Sequence, residues 1–184
     1  MSPTLSFPGV RPAAELQKKV RIKTTMGDIV IQIDPEAGPN AASNFVYLVE
    51  QNFYQGIIFH RVIPGFMIQG GDPTGTGMSG PGYTIPDDTV KNMPTRDYPI
   101  GGRTDRMTYY PKGTVAMART SAPNSGGSQF FIMVDDYPFR PATYAVFGKV
   151  ISGQEVADAI SNVQRDDSDR PLQDVKMTSV TIEP

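Results

Sequence analysis

Hydrophobic and polar residues alternate along much of the chain, as they do in half-buried β-strands. Val20, Ile22 and Thr24 fall on one face of a first run, and a turn at 26–28 separates it from a second alternating run over 29–33. This pattern predicts a β-hairpin. Further strands are predicted over 57–63, 66–69, 114–118, 129–134, 144–150 and 175–182.

Two segments instead carry apolar residues at the spacing of an amphipathic helix. The first begins at Pro39, which suits an opening turn, and ends near Asn52, while the second follows Gly153. Their apolar positions are Ala41, Phe45, Leu48 and Val49 in the first segment and Val156, Ala159, Ile160 and Val163 in the second. Many strands with two helices predict a mainly β fold, a barrel with capped ends.

Two other segments show neither pattern. Residues 1–19 are rich in Pro and small polar residues, which predicts a loose N-terminal arm in which 13–19 can form a short helical turn. The ordered domain is predicted over 20–184. Residues 71–112 are rich in Gly, Pro, Asp and Tyr, and they predict a long functional or flexible loop, with an insertion at about 87–112.

Composition limits the classes of function. A chain of 184 residues fits one domain, and its 17 Lys and Arg against 19 Asp and Glu, without a basic run, argue against a nucleic-acid partner. With no cysteine, the chain has no disulfide, thiol nucleophile or thiolate metal site. No apolar run is long enough for a membrane span or a signal peptide, which predicts a soluble cytoplasmic protein, although a removed leader would leave no trace.

Three motifs have ordinary structural explanations beside their functional ones. The string 75–80 matches the G-x-G-x-x-G pattern of dinucleotide sites, but Pro81-Gly82 follows where a helix should open, so a glycine-rich turn is preferred. His60, the one histidine, has no second His or Cys for a metal or catalytic pair, and a core histidine is preferred. Asp166, Asp167 and Asp169 lack the spacing of a calcium loop and predict a solvated turn. No cofactor and no metal are expected.

Arg61 resists such an explanation, because alternation places it on one face with Phe59 and Ile63 in an otherwise apolar strand. A cation there needs a partner or a function. Neighbouring strands add Met67 with Gln69, and Gln129 with Phe131, each pair on one strand face. Spacing alone leaves two alternatives open, a ligand groove and a structural hydrogen-bond network.

The same residues carry a family resemblance. The segment 59–72, FHRVIPGFMIQGGD, resembles the signature of cyclophilins almost letter for letter. Residues 113–118 and 124–132 resemble the family's other pocket wall, and 146–150 a later barrel strand. The resemblance covers about Val20 to the C-terminus.

The resemblance implies a closed eight-stranded antiparallel barrel capped by two α-helices, with a proline-binding groove on its outer surface. It implies a peptidyl-prolyl cis-trans isomerase that assists protein folding and acts on proline-containing peptides and unfolded proteins as a monomer, away from membranes. By this resemblance the catalytic residues are Arg61, Gln69 and Phe66. The substrate-binding residues are Met67, Ala118, Arg119, Gln129, Phe131, Phe139, Arg140 and Tyr144.

Four of these residues depart from the common family pattern. Phe139 stands where many eukaryotic members have Trp, and Tyr144 where many have His, as in bacterial members. Arg140 replaces a common Leu, and Arg119 a common Asn. Cyclosporin-like inhibitors are therefore expected to bind weakly. The alternative functions are a proline-peptide-binding or chaperone-like module with little turnover, and a scaffold subunit that uses 87–112 as its contact. The insertion carries an aromatic and basic surface that is expected either to modify the groove rim or bind a partner, or to be a variable surface loop; its residues are Tyr98, Tyr109, Tyr110, Arg103 and Arg106.

Overall fold

The structure, a computed structural model, describes residues 4–138 and 143–183. Within these ranges the chain forms three helices and eleven strands. The helices are α1 (Ala13–Leu16), α2 (Pro39–Glu50) and α3 (Gln154–Ser161). The strands are β1 (Lys19–Thr24), β2 (Gly27–Ile33), β3 (Phe59–Ile63), β4 (Met67–Gly70), β5 (Thr95–Ile100), β6 (Arg103–Tyr110), β7 (Thr114–Met117), β8 (Phe130–Met133), β9 (Tyr137–Pro138), β10 (Val146–Ser152) and β11 (Met177–Glu183).

Eight of the described strands form one curled antiparallel sheet, in the order β11-β1-β2-β10-β7-β8-β4-β3. Its inner face is covered by α2 and α3, which confirms the two helices that the periodicity predicts. Phe45 of α2 lies at the centre of this core, with its ring centroid 5.3 Å from that of Phe130 and 4.9 Å from that of Phe147. All three side chains are fully buried, so the burial of aromatic surface is a main source of the fold's stability.

The expected closed barrel is wrong in one respect, because the structure does not close the sheet with a strand ladder. Within the described residues the edge strands β3 and β11 are joined beside their ends by an isolated bridge between Ile58 and Lys176. Farther along β3, the N–H of Val62 donates instead to the carbonyl oxygen of Asp169 at 2.8 Å, in the turn before β11. This turn occupies the edge of β3, and the sheet remains a half-barrel.

Strand β3 also contains a β-bulge that changes which side chains share a face. Phe59 is paired with Gly70 and Arg61 with Gln69, so one partner step corresponds to two steps along β3. As a result Phe59 and Val62 both lie in the inner core, whereas Arg61 is exposed. The expected common face of Arg61 and Phe59 is therefore wrong, since simple alternation fails at a bulge.

The described part of the N-terminal segment runs along α2. Leu16 is fully buried, and Leu5 and Phe7 pack against the inner core. The backbone N–H of Arg11 donates to Ser43 Oγ at 2.9 Å, and its guanidinium pairs with Glu50. These contacts connect the segment to one face of α2.

The segment that the sequence predicts as a long loop contains a β-hairpin. Strands β5 and β6 pair antiparallel, and β6 continues to pair with β9. Ile100 pairs with Arg103, so the loop is Gly101-Gly102, and both glycines have positive φ, 57° and 81°. A two-residue loop with positive φ at both positions is a turn type that favours glycine. We call β5 and β6 together the insertion hairpin.

Among the described residues, no helix combines the length and apolarity needed to cross a membrane.

Candidate active site

A row of directly opposed residues crosses five strands on the outer face of the curled sheet. Arg61 pairs with Gln69, Gln69 with Phe131, Phe131 with Ala116, and Ala116 with Val146. Directly opposed side chains on one sheet face stand within about 5.5 Å at their Cβ atoms. The register thus brings together a cation, an amide and an aromatic ring, although Arg61 and Phe131 are 70 residues apart in the sequence.

An apolar cluster separate from the inner core lies along this row. Its buried members are Met67, Tyr110, Ala116, Phe131 and Met133, and its partly buried members include Phe66, Ala118 and Tyr144. Met67 and Phe131 are 2% and 5% exposed. The predicted apolar lining residues Met67 and Phe131 therefore lie in one cluster, which forms the floor of the candidate site.

Two tyrosine rings stand against Phe131. The ring of Tyr144 meets it edge to face, with centroids 5.3 Å apart and planes at 89°. The ring of Tyr110 lies 6.4 Å away at 72°. Edge-to-face contacts of this kind are favourable and directional, so they hold the Phe131 ring in a defined orientation.

Phe66 borders the cluster from the β3–β4 turn. Its ring is stacked near Tyr137, with centroids 4.2 Å apart. Its backbone N–H donates to Ile63 and its carbonyl accepts from Val134 at 2.9 Å. The turn is thus bonded to the residue that follows β8, which restrains the backbone that carries the Phe66 ring.

Two glutamines line the polar side of the site. Gln69 Nε2 donates to Gln129 Oε1 at 2.9 Å, and Gln129 Nε2 donates in turn to the carbonyls of Gly77 and Ser79. A cavity of about 430 Å³ opens beside them, with Ala118 and Arg119 on its far side. The cavity is large enough to take two or three residues of a peptide, by comparison with common ligand pockets.

Arg61 stands at the exposed end of the row. Its side chain is 45% exposed, and its Nε lies 3.8 Å from Oδ2 of Asp169. The sequence predicts that this cation needs a partner or a function. The structure shows a partner, the carboxylate of Asp169 in the turn that borders β3. With nearly half of its side-chain surface exposed, Arg61 remains accessible to a bound molecule.

The side chain of Arg119 is directed into the protein backbone. It donates from Nη1 to the carbonyls of Thr120 and Ala122 and from Nε to the carbonyl of Thr143. These bonds occupy the guanidinium. The groups of this residue pair that face a ligand in the cavity are therefore the Arg119 backbone and the Ala118 methyl group.

The glycine string 75–80 forms a loop around a buried carboxylate. Asp72 is 1% exposed and accepts hydrogen bonds from the backbone and hydroxyl groups of Thr74 and Thr76 and from the N–H of Ser79. Burial alone would raise the pKa of Asp72, but these hydrogen bonds outweigh it and hold the pKa well below its usual value. The loop carries the Gly77 and Ser79 carbonyls that accept from Gln129, so Asp72 stabilises the loop that positions this glutamine.

His60 is the bulged residue of β3 and is 7% exposed, in agreement with the preferred core position. Burial lowers its pKa, and the charges of Arg170 and Arg61 add to that effect against the opposing charge of Asp72. Within 4–138 and 143–183 its Nδ1 has no hydrogen-bond partner. The imidazole is therefore held neutral beside the site rather than in it.

Two predicted site residues, Phe139 and Arg140, lie outside the residues that the structure describes. Conversely, Tyr110 belongs to the cluster, whereas the sequence predicts it only as one member of the aromatic and basic surface of the 87–112 insertion. It lies in the segment that has no counterpart in the family resemblance. The signal that was available is the Gly101-Gly102 pair, which marks a hairpin and thereby the strand that carries Tyr110.

Comparison with known proteins agrees with this geometry. The family model described as cyclophilin type peptidyl-prolyl cis-trans isomerase/CLD matches residues 19–182. The chain belongs to this family. Peptidyl-prolyl cis-trans isomerase A of the bacterium Dickeya dadantii is 40% identical over 176 residues, which cover 93% of this cyclophilin and 85% of the relative. Peptidyl-prolyl cis-trans isomerase CYP65 of Arabidopsis thaliana is 37% identical over 89% of this chain, which spans 25% of that longer protein.

A solved cyclophilin supports the fold. The cyclophilin-type isomerase of Cryptosporidium parvum superposes with a TM-score of 0.77 at 33% identity, covering 91% of this chain and 99% of that one. That protein was crystallised in the presence of the dipeptide Ala-Pro. The resemblance that the signature segment indicates is thus confirmed by the whole domain.

Proposed function

We propose that this cyclophilin catalyses cis-trans rotation about X-Pro peptide bonds and that Arg61 is its catalytic cation. The observation that carries the proposal is the row Arg61, Gln69 and Phe131, in which an accessible guanidinium lies two strands from a buried aromatic floor. A proline ring on that floor has its peptide bond directed along the row toward Arg61. Family membership and the named activity of the relatives support the same function.

The reaction requires the X-Pro bond to lose its partial double-bond character, against a barrier of about 18–20 kcal/mol. A guanidinium that donates to the prolyl nitrogen, or that holds the proline carbonyl, stabilises the twisted state in which the nitrogen lone pair is localised. No bond to the enzyme forms. The Phe66, Met67 and Phe131 side chains supply an apolar floor that strengthens this hydrogen bond by excluding water.

The substrate backbone lies, in this proposal, across the two glutamines. Gln69 Nε2 donates to Gln129 Oε1, and Gln129 Nε2 donates to the carbonyls of Gly77 and Ser79, so the positions of both side chains are fixed before a substrate arrives. Ala118 and the Arg119 backbone border the residue before the proline, and Tyr144 adds to the wall. Phe139 and Arg140 are proposed as substrate-binding residues from the family resemblance alone. The Ala-Pro dipeptide used with the Cryptosporidium relative supports proline-containing peptides and unfolded proteins as the partners.

The second candidate function is a proline-binding or chaperone-like module with little turnover. The accessible guanidinium at the end of the row favours turnover, because a pure binding groove needs no exposed cation there. A proline-tetrapeptide assay separates the two functions. We expect the protein to shorten the cis-trans relaxation time in proportion to its concentration, whereas a binding module would bind the peptide and leave the relaxation time unchanged.

Residues 20–184 are proposed as a single isomerase domain with 1–19 as an appended arm. The monomeric state, the cytoplasmic location and the weak binding of cyclosporin-like inhibitors stay predictions.

A further inference from the structure

The hydroxyl group of Tyr110 joins the insertion hairpin to the wall of the candidate site. It donates to the carbonyl oxygen of Tyr144 at 3.0 Å and accepts from the N–H of the same residue at 3.0 Å. One hydroxyl therefore satisfies both backbone groups of Tyr144, which lies outside any strand just before β10. The polar groups of a segment without a ladder of its own need such a partner when they are shielded from water.

The Tyr110 hydroxyl can donate to the Tyr144 carbonyl only while the phenol is protonated. Tyr110 is fully buried, and burial raises its pKa to about 12. The phenol thus remains protonated throughout the neutral range and keeps its donor. Because the side chain is fully buried, surrounding residues hold the Tyr110 hydroxyl in place.

Tyr110 is also connected to the part of the apolar cluster that contains Phe66. Tyr110 pairs with Tyr137 at the β6–β9 ladder, and the Tyr137 ring stacks on Phe66. On the other side the Tyr144 ring stands edge to face on Phe131. Tyr110 is thus connected through its backbone to the Phe66 side and through its hydroxyl to the Phe131 side.

We propose that Tyr110 is a positioning residue that sets the width of the proline pocket by fixing Tyr144 relative to Phe66, and that this is the contribution of the insertion hairpin to substrate binding. The inference rests on the proposed function. It assigns to the hairpin a role in ground-state binding, because Tyr144 contacts the Phe131 ring of the floor, two strands from the proposed catalytic cation Arg61. Loss of the hydroxyl should therefore weaken substrate binding with little change in the chemical step.

The test compares Tyr110→Phe with Tyr109→Phe. Both substitutions remove one tyrosine hydroxyl from adjacent positions of β6, but the Tyr109 hydroxyl has a long 3.5 Å contact with Arg96 at the surface. Steady-state kinetics on a proline tetrapeptide give KM and kcat, calorimetry with the same peptide gives Kd, and thermal melts monitor folding. Tyr110→Phe keeps the buried ring, so the core packing is retained.

We expect Tyr110→Phe to raise KM and Kd by about three- to tenfold, the effect of one or two lost hydrogen bonds, with kcat within about twofold of the wild type. Tyr109→Phe should match the wild type. The inference is overturned if KM and Kd are unchanged, if kcat falls while Kd stays constant, or if the two variants behave alike. Failure of the proposed function has a different signature, since the wild type itself would then bind the peptide without turnover, and the Kd comparison would still test Tyr110.

Discussion

The guanidinium of Arg61 and the carboxylate of Asp169 lie 3.8 Å apart, between Nε and Oδ2. The carbonyl of Asp169 also accepts the Val62 N–H, one residue beyond Arg61 in β3, and its other carboxylate oxygen lies 3.3 Å from Arg165. Asp169 thus contacts both the strand and the side chain of the proposed catalytic cation. The turn before β11 restrains Arg61 from outside the groove.

The first prediction concerns this restraint. Asp169 has φ of 63°, a region that Asn tolerates, so Asp169→Asn removes the charge without straining the backbone. We expect kcat/KM to fall by about two- to fivefold, the range of a half-exposed ion pair, because Arg61 then samples more rotamers. High salt should reduce the difference between variant and wild type. Equal activity at low and at high salt would show that Asp169 does not restrain Arg61.

The second prediction concerns Asp72 and acid stability. Its pKa is lower in the folded than in the unfolded chain, so its stabilisation is complete above the unfolded value of about 3.9 and is lost as the pH falls below it. Asp72→Asn places an amide N–H₂ against donor groups and should reduce the free energy of unfolding by about 3 kcal/mol at pH 7. Denaturant unfolding from pH 7 to pH 2 measures this.

The control for Asp72 is Asp34→Asn, an exposed turn residue that accepts two backbone hydrogen bonds of 3.2 Å. It should lose at most about 1 kcal/mol. The lowered pKa of His60 also reduces folding stability as the pH falls, between about pH 6.5 and its pKa in the folded protein. This loss is the same in the wild type and in both variants. If Asp72→Asn retains the wild-type loss of stability below pH 4, the carboxylate is not the group that titrates there.

The third prediction concerns the attachment of the insertion hairpin. Asp136 binds Arg96 at 2.7 Å and accepts the Lys112 N–H at 2.9 Å, and it lies just before β9. Asp136→Ala should increase amide hydrogen exchange over 95–110 by about five- to tenfold, while Tm changes little, because the hairpin packs outside the inner core. Asp97→Ala removes an exposed 3.5 Å pair with Arg106 in the same hairpin and should have no such effect. Equal exchange in the two variants would contradict the prediction.

The fourth prediction concerns cyclosporin-like inhibitors. Because the resemblance places Phe139 where many members have Trp, the indole N–H donor is missing. Phe139→Trp should strengthen inhibitor binding by about fivefold, the equivalent of one hydrogen bond of about 1 kcal/mol. Calorimetry on the two proteins measures the difference, and an unchanged Kd would count against the assigned position of Phe139.

Sequence patterns predicted the parts of the fold that have one clear periodicity. Both long helices lie where the apolar spacing put them, and the β1–β2 hairpin is present. Its turn is at Thr25-Met26 and overlaps the predicted 26–28 only at Met26, because Gly27 and Asp28 already pair with β1. The bulge at His60 was not predictable from alternation, because alternation assumes a regular strand. The closed barrel came from the family resemblance, and it fails where the Asp169 turn takes the edge of β3.

The insertion hairpin escaped prediction for a different reason. Strand β5 is exposed on both faces except at Tyr98, so it has no apolar face to alternate with a polar one. Charged residues of both hairpin strands form ion pairs, Arg96 of β5 with Asp136 and Arg103 with Asp105 in β6, and a sequence does not show such pairs. Tyr110, which connects the hairpin to the site, could therefore not be singled out from its neighbours.

The most direct test of the account is the turnover of Arg61→Ala. Since Arg61 acts on the twisted transition state, kcat/KM on a proline tetrapeptide should fall by about two to three powers of ten, equivalent to about 3–4 kcal/mol, with peptide Kd little changed. Arg61→Lys should recover little, because an ammonium lacks the planar fork of the guanidinium. Arg165→Ala, which removes the other arginine beside Asp169, is the matched control and should keep near-wild-type turnover. Circular dichroism and thermal melts confirm folding, and a folded Arg61→Ala protein with near-wild-type kcat/KM would contradict the proposed mechanism.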